Sequence, residues 1–450
     1  MSIPAASTVP WSAPRAGAPV CSEASVPASK SLTNRYLLLA GLAAGPSTVV
    51  NPLDSRDSRL MLTALERLGS TVEHLTVGDE PAVRVGPITI ATESTALDPV
   101  EIYCGLAGTV MRFVPAAAAL TGRRVFFDGD PEARVRPMAA VLEGLRSLGV
   151  TVTEHGEPGF LPFTVASSGG VEGGTVTIDA SASSQFVSGL LLAAPRFNRG
   201  VRLTHSGTQV PSLEHVEMTL KVLADLRTHP TPAASGVYSP EPYTWVVEPG
   251  EIPAFEVRVE PDLSNAGPFL CAAAVTGGEV SMPGWPLTST QIGRRWPQLL
   301  AEFGCQVDLT ATSATTGTLT VRGPQTLVSP GVVDGTAELT PTVAALAAVA
   351  QGETTFTSVQ HLRGHETDRI AALVTEINRL GGAAEETEDG FRVTSGVRHG
   401  GLVRAYADHR MATFGAILGL VLDGVEVDDI ATTAKTMPDF PDRWQRLLRP

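Results

Sequence analysis

Lys30, Ser31 and Arg35 stand together at the mouth of a run, Tyr36 to Ala44, that is almost entirely apolar. A helix that greasy belongs in a core. The N-terminal end of a helix already carries positive partial charge, so a lysine and an arginine there oppose the dipole. The arrangement recurs: Arg112 closes "CGLAGTVMR", and His409 and Arg410 lie in "YADHRMA". Helix N-termini are natural anion sites, and cations beside them strengthen that reading. Further cations gather near loops: Arg134 and Arg136 in "ARVRPM", Arg363, His365, Glu366 and Arg369 in "LRGHETDR", and Lys435 in "TTAKTMPDFPDRW". Guanidinium groups suit both phosphate and carboxylate, so these residues suit a ligand carrying both. Taken singly, each cluster has a plainer account. Ser, Thr, Asp and Asn before a helix are ordinary N-caps, and an Arg/Glu mixture suits a solvated helix start. Capping does not explain why cations keep appearing at the wrong end.

The elements that position these residues repeat along the chain. An apolar helix, a glycine and a short β-branched strand recur around Gly45, Gly122, Gly200, Gly277, Gly352 and Gly424, at intervals of 77, 78, 77, 75 and 72 residues. The glycine reads as a helix C-cap in the left-handed region. Each strand leads to an amphipathic helix, as in "SRLMLTALERLG" (58–69) and "RIAALVTEINRLGG" (369–382). The polar clusters "ASKSLTNR", "CGLAGTVMR", "ASASSQFVSG", "EPDLSNAG", "AELTPT" and "YADHRMA" all sit just before the apolar helix. Six units predict two domains of three. Each domain buries its apolar helices and places sheets and amphipathic helices outside. If the two domains face each other with these helix ends, the cleft becomes an anion trap. The expected division is a disordered tail over 1–25, a domain over 26–255 and a domain over 256–450, with a strand near 20–27 joining the second.

Composition narrows the function classes. A net charge of −14 argues against a nucleic-acid binder but leaves room for a local cationic pocket. The cysteines, Cys21, Cys104, Cys271 and Cys305, form no CxxC pair and no zinc ligand set, and suit a reducing compartment. No apolar run is long enough to span a membrane. The Pro-, Ala- and Ser-rich start lacks the apolar core of a secretory signal, though its shortage of acids also fits a transit peptide.

Read together and in order, "SKSLTNR", "LAGTVMR", "RPM", "DASASSQFVSGLLLAAP", "RGHETDR", "YADHRMA" and "AKTMPDFP" resemble the 5-enolpyruvylshikimate-3-phosphate synthase family over nearly the whole chain. The local vocabulary is most similar to actinobacterial members. The resemblance implies a two-domain inside-out α/β barrel of six βαβαββ-type repeats, with two interdomain crossovers. It implies transfer of the enolpyruvyl group of phosphoenolpyruvate to the 5-hydroxyl of shikimate 3-phosphate with release of phosphate, on the pathway to chorismate and aromatic amino acids. It also implies no metal and no organic cofactor, a cytoplasmic monomer, and no nucleic-acid or membrane partner.

Residue by residue, the resemblance implies that Lys30, Arg136, Arg369, Arg410 and Lys435 hold phosphoenolpyruvate, with Gly108, Thr109 and Gln185. It implies that Ser31, Arg35, Ser183, Ser184, Gln185 and Ser212 hold shikimate 3-phosphate, with Glu338 and His365 beside it. Glu338 would be the base for the 5-hydroxyl. Glu366 would handle protonation at the methylene carbon, with Lys435 nearby, and Lys30 and His409 complete the catalytic set. The chain departs from the common pattern at His365, where many members have Lys, at Leu106, where many have Asn, and at Phe113, where Pro is frequent. Gly108 is the small residue that leaves room for the inhibitor glyphosate. The competing readings are the sister transferase acting on UDP-N-acetylglucosamine and an inactive anion-binding paralogue. The sister enzyme typically carries Cys or Asp in the loop before the "RP" arginine, and "DGDPEARVRPM" has no Cys. Retention of Lys30, Glu338, Glu366, His409, Arg410 and Lys435 speaks against the paralogue.

Overall fold

The computed structural model describes residues 9–90, 99–227, 235–364 and 366–449. The chain divides into two compact units, Ala28–Glu260 on one hand and Met1–Pro27 with Pro261–Pro450 on the other. It therefore crosses between them twice, at Pro27/Ala28 and at Glu260/Pro261. Lys30 lies just past the first crossing.

Among the described residues each unit holds three small sheets, and most follow one plan. In the second repeat, Val100–Tyr103 runs into the apolar helix Gly108–Ala118 and returns as Arg124–Asp128, parallel to the first strand. The amphipathic helix Ala139–Ser147 follows. Thr151–Glu154 and Phe163–Ala166 then close the sheet as an antiparallel pair. This is the βαβαββ order. The parallel pair needs the helix as its crossover, and the last two strands can be joined by a short connection.

At the crossings the plan is completed from a distance. The first sheet takes Glu256–Arg258, parallel to Ser47–Val50, from the far end of its own unit. The fourth takes Cys21–Glu23, parallel to Glu279–Pro286. In the sixth, Trp11–Ser12 pairs with Glu426–Val427 where other sheets have a hairpin. The expected disordered tail over 1–25 is therefore corrected for residues 9–25. Val20 and Ala24 are buried in the core of their unit, and the backbone of 21–23 pairs with a strand more than 250 residues away. Pro- and Ser-rich composition cannot reveal a partner at that separation. Residues 1–8 lie outside the described part.

Six helices form the two cores: Lys30–Leu42, Gly108–Ala118 and Ser184–Ala193 in one unit, and Leu263–Thr276, Thr340–Ala347 and His409–Gly419 in the other. Nearly every residue in them is buried, including polar ones such as Thr33, Asn34 and Arg35. Of the six repeat glycines, five have the expected positive φ, and Gly45 does not. Gly45 precedes Pro46, and the proline ring restricts the residue before it to extended backbone.

Candidate active site

In the unit Ala28–Glu260, polar and cationic side chains gather near the N-terminal ends of the core helices. Ser29 caps the first helix by accepting from the Leu32 amide. The next residue, Lys30, holds its ammonium 3.7 Å from Asp57. Arg35 lies one turn on, with its side chain turned inward. Its Nε donates to Thr219 Oγ1 at 2.8 Å, one terminal nitrogen to the Ser31 carbonyl at 2.9 Å, and the other to the His215 carbonyl at 2.9 Å. Its carbon lies 5.3 Å from the Phe113 ring centre. Burial pulls its pKa down to about 9, which still leaves it charged at neutral pH. Arg35 thus fixes the backbone of Ser31 to the start of the helix Glu214–Leu226. Ser212, with φ of +51°, shapes the approach to that helix.

The helix Gly108–Ala118 opens on Ala107, which has no side chain to accept from its first-turn amides. Arg136 reaches over this end and donates to the Leu106 carbonyl at 3.0 Å. A Cβ built on Gly108 would lie 2.9 Å from Gln185 Oε1 and 3.1 Å from Arg136 Nη2, so only glycine lets these two side chains come so close. Thr109 accepts from Asn34 at 2.9 Å. Arg112 donates to Gln185 Oε1 at 2.9 Å and to Ser183 Oγ at 3.5 Å. Burial lowers the Arg112 pKa to about 9, with neighbouring Arg136 adding to the shift. Ser183 caps its own helix through the Gln185 amide, and Ser184 is buried behind it. Lys30, Ser31, Arg35, Gly108, Thr109, Arg136, Ser183, Ser184, Gln185 and Ser212 thus all fall at or near helix starts in one unit.

The second unit gathers the acids. Glu338 sits on the short turn Ala337–Leu339, where Ala337 has φ of +40°. Its Oε1 accepts from Ser264 at 2.5 Å and lies 3.4 Å from an Arg410 terminal nitrogen. Glu366 is held from two sides, by Arg369 at 2.6 Å and by the Lys435 ammonium. Arg369 also binds Asp408, Nε to Oδ2 at 2.6 Å, with both side chains almost fully buried. Burial opposes the charge on Arg369, but Asp408, Glu366 and Glu338 outweigh it and raise its pKa above the ordinary value. Asp408 caps the helix His409–Gly419 by accepting from the Arg410 amide at 2.8 Å. The loop carrying Lys435 is tied down at Thr436, whose hydroxyl meets Asn265 Oδ1 at 3.2 Å. Glu366, Asp408 and His409 bring donor atoms within 4.8 Å of one another, but Arg369 and Lys435 already match the acids' charge. The group is an ion-pair network. His365 lies outside the described residues.

The model of the family described as EPSP synthase (3-phosphoshikimate 1-carboxyvinyltransferase) matches residues 14–444. The chain belongs to the EPSP synthase family. A family relative from Kocuria rhizophila, named 3-phosphoshikimate 1-carboxyvinyltransferase, is 53% identical over 443 residues, covering 97% of this chain and 96% of the relative. The fold matches two solved EPSP synthase structures from Acinetobacter baumannii. One has a TM-score of 0.78 at 22% identity and covers 98% of each chain. The other has a TM-score of 0.76 at 21% identity, covering 96% of this chain and 97% of its own.

Four side chains belong with these clusters although sequence reasoning did not place them in the EPSP synthase site. Asp408 reads as a simple N-cap, yet it is the buried counter-charge of Arg369. Asp57 and Ser264 are the partners of Lys30 and Glu338. Asp57 lies in the first turn of an amphipathic helix, and Ser264 lies in the polar cluster "EPDLSNAG", where it reads as one more helix-start residue. Arg112 stood out only as a cation at the wrong end of a helix. Its link to Gln185 is the signal's meaning.

Proposed function

We propose that this chain transfers the enolpyruvyl group of phosphoenolpyruvate to the 5-hydroxyl of shikimate 3-phosphate, yielding 5-enolpyruvylshikimate 3-phosphate and inorganic phosphate. Family membership carries the reaction. The observation that carries the assignment of roles is the position of Glu366 between Arg369 and Lys435.

The chemistry asks for two proton movements and one anion departure. A proton must reach the methylene carbon of phosphoenolpyruvate, which leaves positive charge on the adjacent carbon. The Glu366–Lys435 pair is assigned that transfer: the ammonium supplies a proton across a hydrogen bond already made, and the carboxylate relays it. Glu338 takes the proton of the 5-hydroxyl as its oxygen bonds to the adjacent carbon. Ser264 and Arg410 hold the Glu338 carboxylate in place for this. The Glu366–Lys435 pair, one proton short, then takes a proton back from the adduct's methyl group as the carbon–phosphate oxygen bond breaks, which restores the double bond, and the departing phosphate takes up the proton held by Glu338. Cations stabilise the departing charge. Lys30, Arg136, Arg369, Arg410 and Lys435, with Gly108, Thr109 and Gln185, are assigned to phosphoenolpyruvate. Ser31, Arg35, Ser183, Ser184, Gln185 and Ser212 are assigned to shikimate 3-phosphate, with His365 and Glu338. His409 is assigned to the catalytic set. The enzyme is placed in the cytoplasm as a monomer. No helix among the described residues is long and apolar enough to cross a membrane.

The test mixes the protein with phosphoenolpyruvate and one acceptor at a time and follows phosphate release. Release with shikimate 3-phosphate and none with UDP-N-acetylglucosamine supports this reading. The reverse pattern selects the sister transferase, and no release with either selects the inactive paralogue.

A further inference from the structure

Asp408 reaches Arg369 from a turn that its own residues resist. The Asp408 amide donates to the Ala405 carbonyl at 2.8 Å, closing a four-residue turn. The two central residues, Tyr406 and Ala407, have φ of +53° and +55°. Two positive φ values in succession mark a type I′ turn, where Gly, Asn or Asp are the usual occupants. A tyrosine and an alanine hold this conformation only if their surroundings impose it.

Those surroundings centre on Glu376, a fully buried carboxylate inside the helix Arg369–Arg379. Its Oε1 accepts from the Tyr406 hydroxyl at 2.7 Å. Its Oε2 accepts from the Arg404 amide at 3.3 Å and pairs with Arg379 Nε at 3.1 Å. One carboxylate therefore grips the chain on both sides of Ala405. From the other side, Asp428 Oδ1 accepts from the Ala405 amide at 2.7 Å. Glu376 and Arg369 lie on the same helix, two turns apart. The helix that carries the guanidinium thus also sets the turn that presents its counter-charge.

We infer that Glu376 and Tyr406 are positioning residues that hold the 405–408 turn in its left-handed form and so aim Asp408, Arg369 and Arg410. Neither is assigned to touch substrate. The inference rests on the assignment of Arg369 and Arg410 to phosphoenolpyruvate made above.

The test is Tyr406→Phe, which keeps the ring and removes the donor. The KM for phosphoenolpyruvate should rise roughly 5- to 20-fold, the order expected for losing one hydrogen bond, while that for shikimate 3-phosphate stays within about twofold. Adding Ala407→Gly should recover most of the loss, because glycine adopts positive φ without the clamp. A fall in melting temperature with both KM values unchanged would overturn the inference and leave the pair a fold-stabilising contact. So would an equal rise in both KM values, or no recovery in the double variant. If Tyr406→Phe alone does not fold, the double variant decides: folded with near-normal KM for phosphoenolpyruvate supports the clamp, and folded with a raised one overturns it. Wild-type phosphate release is measured alongside. Its absence would defeat the proposed reaction, whereas a normal wild type with an unaffected variant would defeat only the clamp.

Discussion

Arg369 and Asp408 form a nearly solvent-free ion pair, Nε to Oδ2 at 2.6 Å, and the same aspartate caps the helix that begins at His409. Removing Asp408 takes away the fully buried counter-charge of Arg369 and leaves it Glu366, a partly exposed carboxylate already shared with Lys435. Asp408→Ala should therefore destabilise the fold by roughly 3–5 kcal/mol, with the lost cap adding about 1 kcal/mol. Urea denaturation measures this directly. A loss under about 1 kcal/mol, the size of an exposed pair, would show that water reaches Arg369.

Glu366 makes a different prediction because the role proposed for it is chemical. Glu366→Gln keeps an oxygen for Arg369 and loses the charge that faces Lys435. We expect kcat to fall on the order of 10²–10⁴-fold, the usual share of a positioned acid or base, with little change in stability. Steady-state kinetics with both substrates checks it. A change confined to KM would reassign Glu366 to binding alone.

Gly108 allows a sharp steric test. A methyl group there would press on the ends of Gln185 and Arg136, both of which can move. Gly108→Ala should fold normally, since neither neighbour is backbone. Displacing Arg136 should raise the KM for phosphoenolpyruvate on the order of tenfold, about 1.4 kcal/mol, and weaken glyphosate binding with it. Equal affinity for glyphosate in both proteins would contradict the close approach at Gly108.

The repeat and the core helices were legible because their signals are local. A glycine follows each apolar helix at a near-constant interval, though only Gly277 caps its α-helix directly, and hydrophobic residues all round a helix have only one place to go. The strand at 21–23 falls where the resemblance leads one to expect a strand, near 20–27, but the strand at 11–12 was not legible, because its partner is remote in sequence and its own composition is loop-like. Asp408 shows the same limit at the site. As a cap it looks ordinary, and its pairing with Arg369 depends on a turn, 405–408, whose two left-handed residues carry no glycine to announce it. Arg35 was legible as an unusual cation but not as a buried one. Its partners Thr219 and His215 sit on a helix some 180 residues on.

Tyr406 gives the turn a signature in pH. Burial, and then its bond to the Glu376 carboxylate, push its pKa up to about 12, with Arg379 working weakly against them. The usual phenol titrates near pH 10, so the folded state favours the protonated form. A group whose pKa is raised on folding contributes stability that is complete below its unfolded pKa and lost as pH climbs through the folded one. The stability difference between wild type and Tyr406→Phe should thus be constant up to about pH 9 and shrink as pH rises toward 12. Denaturation curves of both proteins over that range measure it. A difference that stays constant throughout would place the hydroxyl in water.

The protonation of the methylene carbon is tested most directly by running the reaction in D₂O and examining the product by proton NMR. Addition through a transient methyl group predicts deuterium in the vinyl methylene of 5-enolpyruvylshikimate 3-phosphate, appearing together with released phosphate and nearly abolished in Glu366→Gln. Phosphate and product formed at the full rate with no deuterium at that carbon would contradict the account.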